Sequence, residues 1–99
     1  MQKYYYVYML ASKKDGALYI GVTSDLIKRT YEHRHGLVDS HVSKYHIRRL
    51  VYYEQHEDIN EAIKREKQMK TWQRQWKINL IEKNNSEWAD LYDSIAAYG

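Results

Sequence analysis

The sequence predicts an α+β domain: a small three-stranded, mainly antiparallel sheet flanked by helices. Three observations lead there. Short aromatic and β-branched runs at Tyr4–Leu10, Leu18–Val22 and Leu50–Tyr53 read as strands. Two longer stretches, after Thr23 and after Asp58, carry apolar residues at helical spacing. The chain has 99 residues with no proline, no low-complexity linker and no internal repeat, so residues 1–99 read as one domain. A chain of this size buries roughly 65% of its unfolded surface, enough for one core without staples.

Composition narrows the function classes. There is no cysteine, which excludes disulfides, thiolate zinc sites and cysteine nucleophiles. The five histidines have no metal-ligand spacing on one element, which argues against zinc. No apolar run approaches the roughly 20 residues that span a bilayer. No signal-peptide pattern opens the chain, so a soluble cytoplasmic protein without a membrane partner is expected. The net charge of +3 is modest, but it is unevenly spread. Lys64, Arg65, Lys67, Lys70, Arg74 and Lys77 are opposed only by Glu66, a run that either is a solvated face or tracks phosphates. Trp72 and Trp76, interleaved with it, are assigned to the core. Eleven tyrosines and no phenylalanine mean that strands can pack and still present hydroxyls.

In chain order, Ser12 to Gly16 is a turn in which Gly16 is free to take positive φ. An odd register sum near 27 across the hairpin puts Tyr5, Val7, Met9, Leu18, Ile20 and Val22 on one apolar face. Tyr6, Tyr8, Tyr19 and Gly21 then share the other face, with Tyr8 opposite Tyr19. Thr23 or Ser24 caps a helix from about Asp25 to His35, stopped by Gly36. Its buried arc is Leu26, Ile27, Thr30 and Tyr31, with Arg29 and His33 four apart at the edge of that arc. Leu37 to Ile47 is polar and irregular, with Lys44-Tyr45 inside it. Asp58 or Asn60 caps a long helix from about Glu61 to Glu82, whose face is Ala62, Met69, Trp72, Trp76 and Leu80. Glu66 falls within that arc, where a carboxylate is costly unless it is paired or binds a metal. Ser86 caps a last short helix with Trp88 and Leu91 turned inward, and the tail from Ile95 carries no signal.

Tyr6-Val7-Tyr8, then Tyr19-Ile20-Gly21, then Arg29 and His33, then Glu66, and finally Asn85 to Leu91 resemble, in that order, the GIY-YIG nuclease superfamily and its small stand-alone members. Tyr6 stands where the first motif has glycine. The family's later asparagine has Asn79, Asn84 and Asn85 as candidates, of which Asn85 fits best, with Ser86 following where proline is usual. The resemblance implies a GIY-YIG endonuclease-like fold and a catalytic set of Tyr8, Tyr19, Arg29, His33 and Glu66. It further implies hydrolysis of DNA phosphodiesters by in-line attack of water, with Mg²⁺ (or Mn²⁺) on Glu66.

That donor set suits the chemistry. Magnesium takes one or two carboxylates and fills its shell with water and phosphate. A phenol, with its pKa near ~10, needs a nearby cation to act as a base, and Arg29 is placed to supply one or to hold the phosphate. His33 is expected to bond a tyrosine or to protonate the leaving oxygen. Lys44, Tyr45, Lys70 and Asn85 are carried as nucleic-acid contacts. The DNA form, whether branched, nicked or single-stranded, is left open. Against this stand plain packing for Tyr8 and Tyr19, a solvated helix edge for Arg29 and His33, and simple ion pairing of Glu66 with Arg65 or Lys70. A binding module without turnover and a protein-interaction adaptor are the rival classes.

Overall fold

The computed structural model describes residues 3–37 and 45–97. Strands β1 (Tyr5–Ala11), β2 (Leu18–Thr23) and β3 (Arg49–His56) form one antiparallel sheet in the order β2-β1-β3. Helix α1 (Leu26–Arg34) lies between β2 and β3 in sequence. Helices α2 (Ile59–Thr71), α3 (Arg74–Asn84) and α4 (Tyr92–Ala96) follow β3. The α+β class and the three-stranded sheet match the expectation.

The sheet buries both faces. Val7, Met9, Ala11 and Ile20 join Ala62, Met69, Ile81 and Trp88 in one core under α2 and α3, with Tyr5, Leu18 and Val22 packed against it. Tyr8, Leu10, Leu26, Ile47 and Leu50 form a second core under α1, with Tyr6, Tyr19, Leu91 and Ile95 around it. The expected partition of side chains between the faces therefore holds. The register itself is two residues away from expectation: Val7 pairs with Val22 and Tyr8 with Gly21, and Tyr19 sits opposite Leu10. A shift of two preserves every face while changing every partner, so the hydrophobic pattern is blind to it.

The new partner of Tyr8 is what matters. A Cβ added to Gly21 would lie 2.5 Å from the Tyr8 hydroxyl oxygen and 2.6 Å from Cζ. The Tyr8 ring therefore lies across Gly21, in space that any side chain on Gly21 would occupy. Gly16 is also a matter of space. The positive φ of the hairpin turn falls on Asp15, while a Cβ on Gly16 would strike the Ser12 hydroxyl.

Helix α1 is capped by Asp25, whose carboxylate accepts from the Lys28 amide at 3.1 Å; Thr23 instead accepts from the Asp25 amide. The helix closes as expected on Gly36 (φ 65°), with Leu37 N–H bonded to the Glu32 carbonyl and Gly36 N–H to that of His33. Its buried residues are Leu26, Thr30 and His33, whereas Tyr31 is exposed and lies 4.2 Å from the His35 ring. The arc is thus rotated from the expected one, and His33 sits in it rather than at its rim.

The expected long helix is two helices. The chain is extended at Trp72 and Gln73, and α3 starts afresh at Arg74. A straight helix over residues 61–82 would run about 33 Å, beyond the roughly 26 Å of the longest strand beneath it. The break returns Ile78 and Ile81 to the core and leaves Trp76 54% exposed. No glycine or proline marks it.

Residues 85–91 form a turn instead of the expected Ser86-capped helix. Trp88 is fully buried in a left-handed conformation (φ 57°), and its indole donates to Glu82 at 2.7 Å. This turn covers the β3 edge. Leu91 N–H donates to the Leu50 carbonyl at 2.7 Å, Leu50 N–H to Asp90, and Asn85 Nδ2 to the Val51 carbonyl, beside the bulge that breaks the β1–β3 register.

Gly21→Ala is expected to lower stability by roughly 1–3 kcal/mol through overpacking against Tyr8. The same substitution made in a Tyr8→Leu background, where the colliding ring is absent, should cost much less relative to Tyr8→Leu alone. Urea unfolding of these variants measures this.

Candidate active site

Tyr8, Tyr19 and His33 come together on the α1 side of the sheet. β1 supplies Tyr8, β2 supplies Tyr19 and the buried arc of α1 supplies His33. Ring centroids are 6.2 Å apart for Tyr8–Tyr19, 6.1 Å for Tyr8–His33 and 5.5 Å for Tyr19–His33. The Tyr8 hydroxyl lies 3.3 Å from His33 Nε2, and the Tyr19 ring stands beside both. Tyr8 is only 2% exposed, while Tyr19 is half-buried.

Electrostatics distinguish these groups. Burial pushes the Tyr8 phenol well above its usual pKa; the neighbouring Tyr19 and, more weakly, Glu66 add to that, and Arg29 works against them. Tyr8 is therefore held as a neutral phenol. Burial and then Arg29 lower the His33 pKa, against a smaller opposing effect of Glu32, so the imidazole is neutral at pH 7. His33 Nδ1 is buried and has no hydrogen-bond partner among the described residues. An orphaned ring nitrogen costs about 1–3 kcal/mol.

Arg29 and Glu66 supply the charges. Arg29 is exposed, 3.9 Å from Glu32, and lines a small polar cleft with Ser24, Asp25 and Lys28. Glu66 projects from α2 with its side chain only 15% exposed, and its Oε2 meets Lys70 Nζ at 3.2 Å. Both act on the Tyr8 hydroxyl through space, so the five residues of the expected catalytic set share one neighbourhood. Lys70 stands at its edge through Glu66.

Asn85 spends its amide on the fold, bonding Val51 and Ala89 carbonyls through Nδ2 and the Ala89 amide through Oδ1. Tyr45 is half-exposed in a turn. Lys44 lies outside the described residues.

Sequence reasoning passed over a second polar cluster on the opposite side of the sheet. Glu54 accepts from Tyr52 at 2.5 Å, bonds His56 Nε2 at 2.6 Å and accepts from Arg65 Nε at 3.0 Å, while the Arg65 guanidinium covers the Trp72 ring. Burial favours a raised pKa for Glu54, but the bonds from Tyr52, Arg65 and His56 outweigh it and hold the carboxyl below its usual value. This cluster fixes α2 through Arg65, the residue before Glu66. Alternation of Tyr52, Glu54 and His56 on β3 was the available signal.

As a metal site the arrangement is sparse. Among the described residues no group of three or more His, Cys, Asp or Glu is placed to hold an ion. One half-buried carboxylate fits a cation that keeps most of its water, as magnesium does, and does not fit a protein-built cage.

A three-stranded sheet carrying two phenols, followed by a guanidinium and an imidazole on α1 and one acid on α2, defines a domain of the GIY-YIG type. The family described as the GIY-YIG catalytic domain matches residues 4–79. The chain is 38% identical over 77 residues to the UPF0213 protein SSP2268 of Staphylococcus saprophyticus, covering 78% of this chain and 93% of that one. It is 36% identical over 78 residues to a UPF0213 protein of Staphylococcus aureus, covering 79% and 94%. The solution NMR structure of the UPF0213 protein BH0048 from Bacillus halodurans is similar, with a TM-score of 0.53 at 27% identity, over 88% of this chain and 92% of that one. The chain belongs to the GIY-YIG family, a family of nuclease type. Among the described residues, no helix is long and apolar enough to cross a membrane.

The depressed pKa of His33 sets a pH dependence. Above its ordinary value of 6.5 the ring is neutral folded or unfolded, and stability is at its full level. As pH falls below that value, the unfolded chain binds a proton that the folded ring resists, so stability declines towards the folded pKa. Glu54, depressed from 4.5, acts only at lower pH. Urea unfolding at about pH 7.5 and about pH 5.5 should show the loss in the parent chain and a smaller loss in His33→Gln.

Proposed function

We propose that this chain is a Mg²⁺-dependent DNA endonuclease in which Tyr8, Tyr19, Arg29, His33 and Glu66 act together. The observation carrying this reading is the mutual packing of Tyr8, Tyr19 and His33, with the Tyr8 ring across Gly21 and with Arg29 and Glu66 close enough to act on the same hydroxyl.

The residues divide the work by exposure and charge. Tyr8, buried and neutral, orients its neighbours by hydrogen bonding and is not the base. Tyr19, partly open to solvent, takes the proton of the attacking water. The Arg29 fork holds the non-bridging oxygens of the scissile phosphate, where its charge offsets what develops during attack. Neutral His33 bonds Tyr8 through Nε2 and fixes the direction of the phenol chain. Glu66 would hold the metal, which would free Lys70, now on its Oε2, for a phosphate. When bound, the ion would neutralise phosphate charge and favour ionisation of a bound water.

A second reading has its own support. The Glu66–Lys70 ion pair and the burial of Tyr8 also suit a domain that binds nucleic acid without turning it over. Incubation with branched, nicked, single-stranded and duplex DNA plus Mg²⁺ separates the two. Cleavage is expected in the parent chain, with a fall of about 100-fold or more in Glu66→Ala and in Tyr19→Phe. DNA affinity in EDTA should stay within about threefold for Glu66→Ala, less than 1 kcal/mol. Binding without cleavage of any of these DNAs by the parent chain would leave the second reading.

A further inference from the structure

At the far end of α1 a second polar cavity gathers charge that the site above does not use. Arg34, Arg48, Arg49, His35, His46 and Asp90 line a hollow of about 280 Å³. Three guanidiniums share it with one carboxylate. Asp90 cannot balance them, because it already serves the fold: Oδ2 takes Arg34, and Oδ1 accepts the amides of Leu50 at 3.2 Å and Tyr92 at 3.0 Å.

Arg34 is held, but Arg48 and Arg49 are only lightly committed. Arg34 lies 4.8 Å beneath the Tyr92 ring. Arg49 gives one N–H to the Trp88 carbonyl at 3.0 Å, and Arg48 gives one to the Arg34 carbonyl at a long 3.5 Å. Each guanidinium has five donors. Arg48 Nε is buried and has no hydrogen-bond partner among the described residues. A cation near the C-terminal turn of α1 is favourable in itself, but one suffices for that. Three like charges around one hollow, with most donors of Arg48 and Arg49 uncommitted, suit a polyvalent anion with several acceptor oxygens.

We propose that this cavity is a phosphate-binding site, with Arg48 and Arg49 as its principal donors and Arg34, fixed by Asp90, as its wall. Phosphate oxygens accept from the terminal N–H groups of Arg48 and Arg49, whose planar forks match a tetrahedral oxyanion. The ligand is either free phosphate or a phosphate of a nucleic-acid backbone. Position is compatible with the second. Arg49 pairs with Ala11, one residue along β1 from Leu10, the partner of Tyr19, and Arg34 follows His33 in α1. A strand entering the proposed active site would pass here.

The inference does not rest on nuclease activity, and its test is run in EDTA so that no turnover occurs. Inorganic phosphate is titrated into ¹⁵N-labelled protein while the arginine Nε–H resonances are followed. Arg48 Nε–H is expected to shift saturably, and sodium chloride at matched ionic strength should not reproduce the shift. Arg48→Gln should weaken phosphate binding about tenfold or more, and Arg48→Lys, which keeps charge but not the fork, should weaken it less. An oligonucleotide that displaces phosphate, with a DNA-binding salt slope lower by about one in Arg48→Gln, assigns the site to backbone phosphate. Saturable phosphate binding that the oligonucleotide leaves untouched assigns it to free phosphate. A shift that rises linearly without saturating, or that chloride reproduces, overturns the proposal. Failure of DNA cleavage leaves it standing.

Discussion

The structure turns on a steric exchange in the middle of the sheet. Gly21 gives up a side chain, and the Tyr8 ring lies in the vacated space. That placement brings the Tyr8 hydroxyl to 3.3 Å from His33 Nε2 and sets its ring 6.2 Å from that of Tyr19. It also seals the phenol from water, and burial then keeps it neutral. One missing methyl group thus controls packing, hydrogen bonding and protonation together. A glycine in a strand interior ordinarily weakens it; here the cost is offset by a buried aromatic ring and the second core around it.

Around that centre the charges are held from both sides of the sheet. Arg29 comes from α1, in the second core's layer. Glu66 comes from α2 on the opposite side, its helix fixed by the Glu54–Arg65 bonds. The two helices are therefore independent supports for a cation and an anion whose fields meet at one hydroxyl. This explains why the residues of the site are dispersed from Tyr8 to Glu66 in sequence. A single element cannot present opposite charges to one point from two directions.

Much of this was legible in the letters. Alternation along Tyr5–Ala11 and Leu18–Val22 assigns each side chain to its face, because faces follow parity. The ordered motif residues mark out the five-residue set. What escaped has physical causes. Parity cannot separate a register sum of 27 from one of 29, so the pattern puts Tyr8 opposite Tyr19 where the structure pairs it with Gly21. The break at Trp72 and Gln73 is imposed by the finite length of the sheet, a tertiary limit that leaves no glycine or proline behind. Asn85 and Trp88 act through a turn that covers the β3 edge, a role visible only once β3 is known to lie at the edge. The cluster of Arg34, Arg48, Arg49 and Asp90 joins residues from three separate segments, so no local pattern announces it.

The central claim is that Glu66 and the tyrosine pair serve one metal-supported centre. Paramagnetic broadening by Mn²⁺, read on the side-chain resonances of the labelled protein, tests it directly. The account predicts selective broadening at Glu66, Tyr19, Tyr8 and His33, lost in Glu66→Ala, with the 85–91 turn spared. Broadening centred elsewhere, or unchanged in Glu66→Ala, would contradict it.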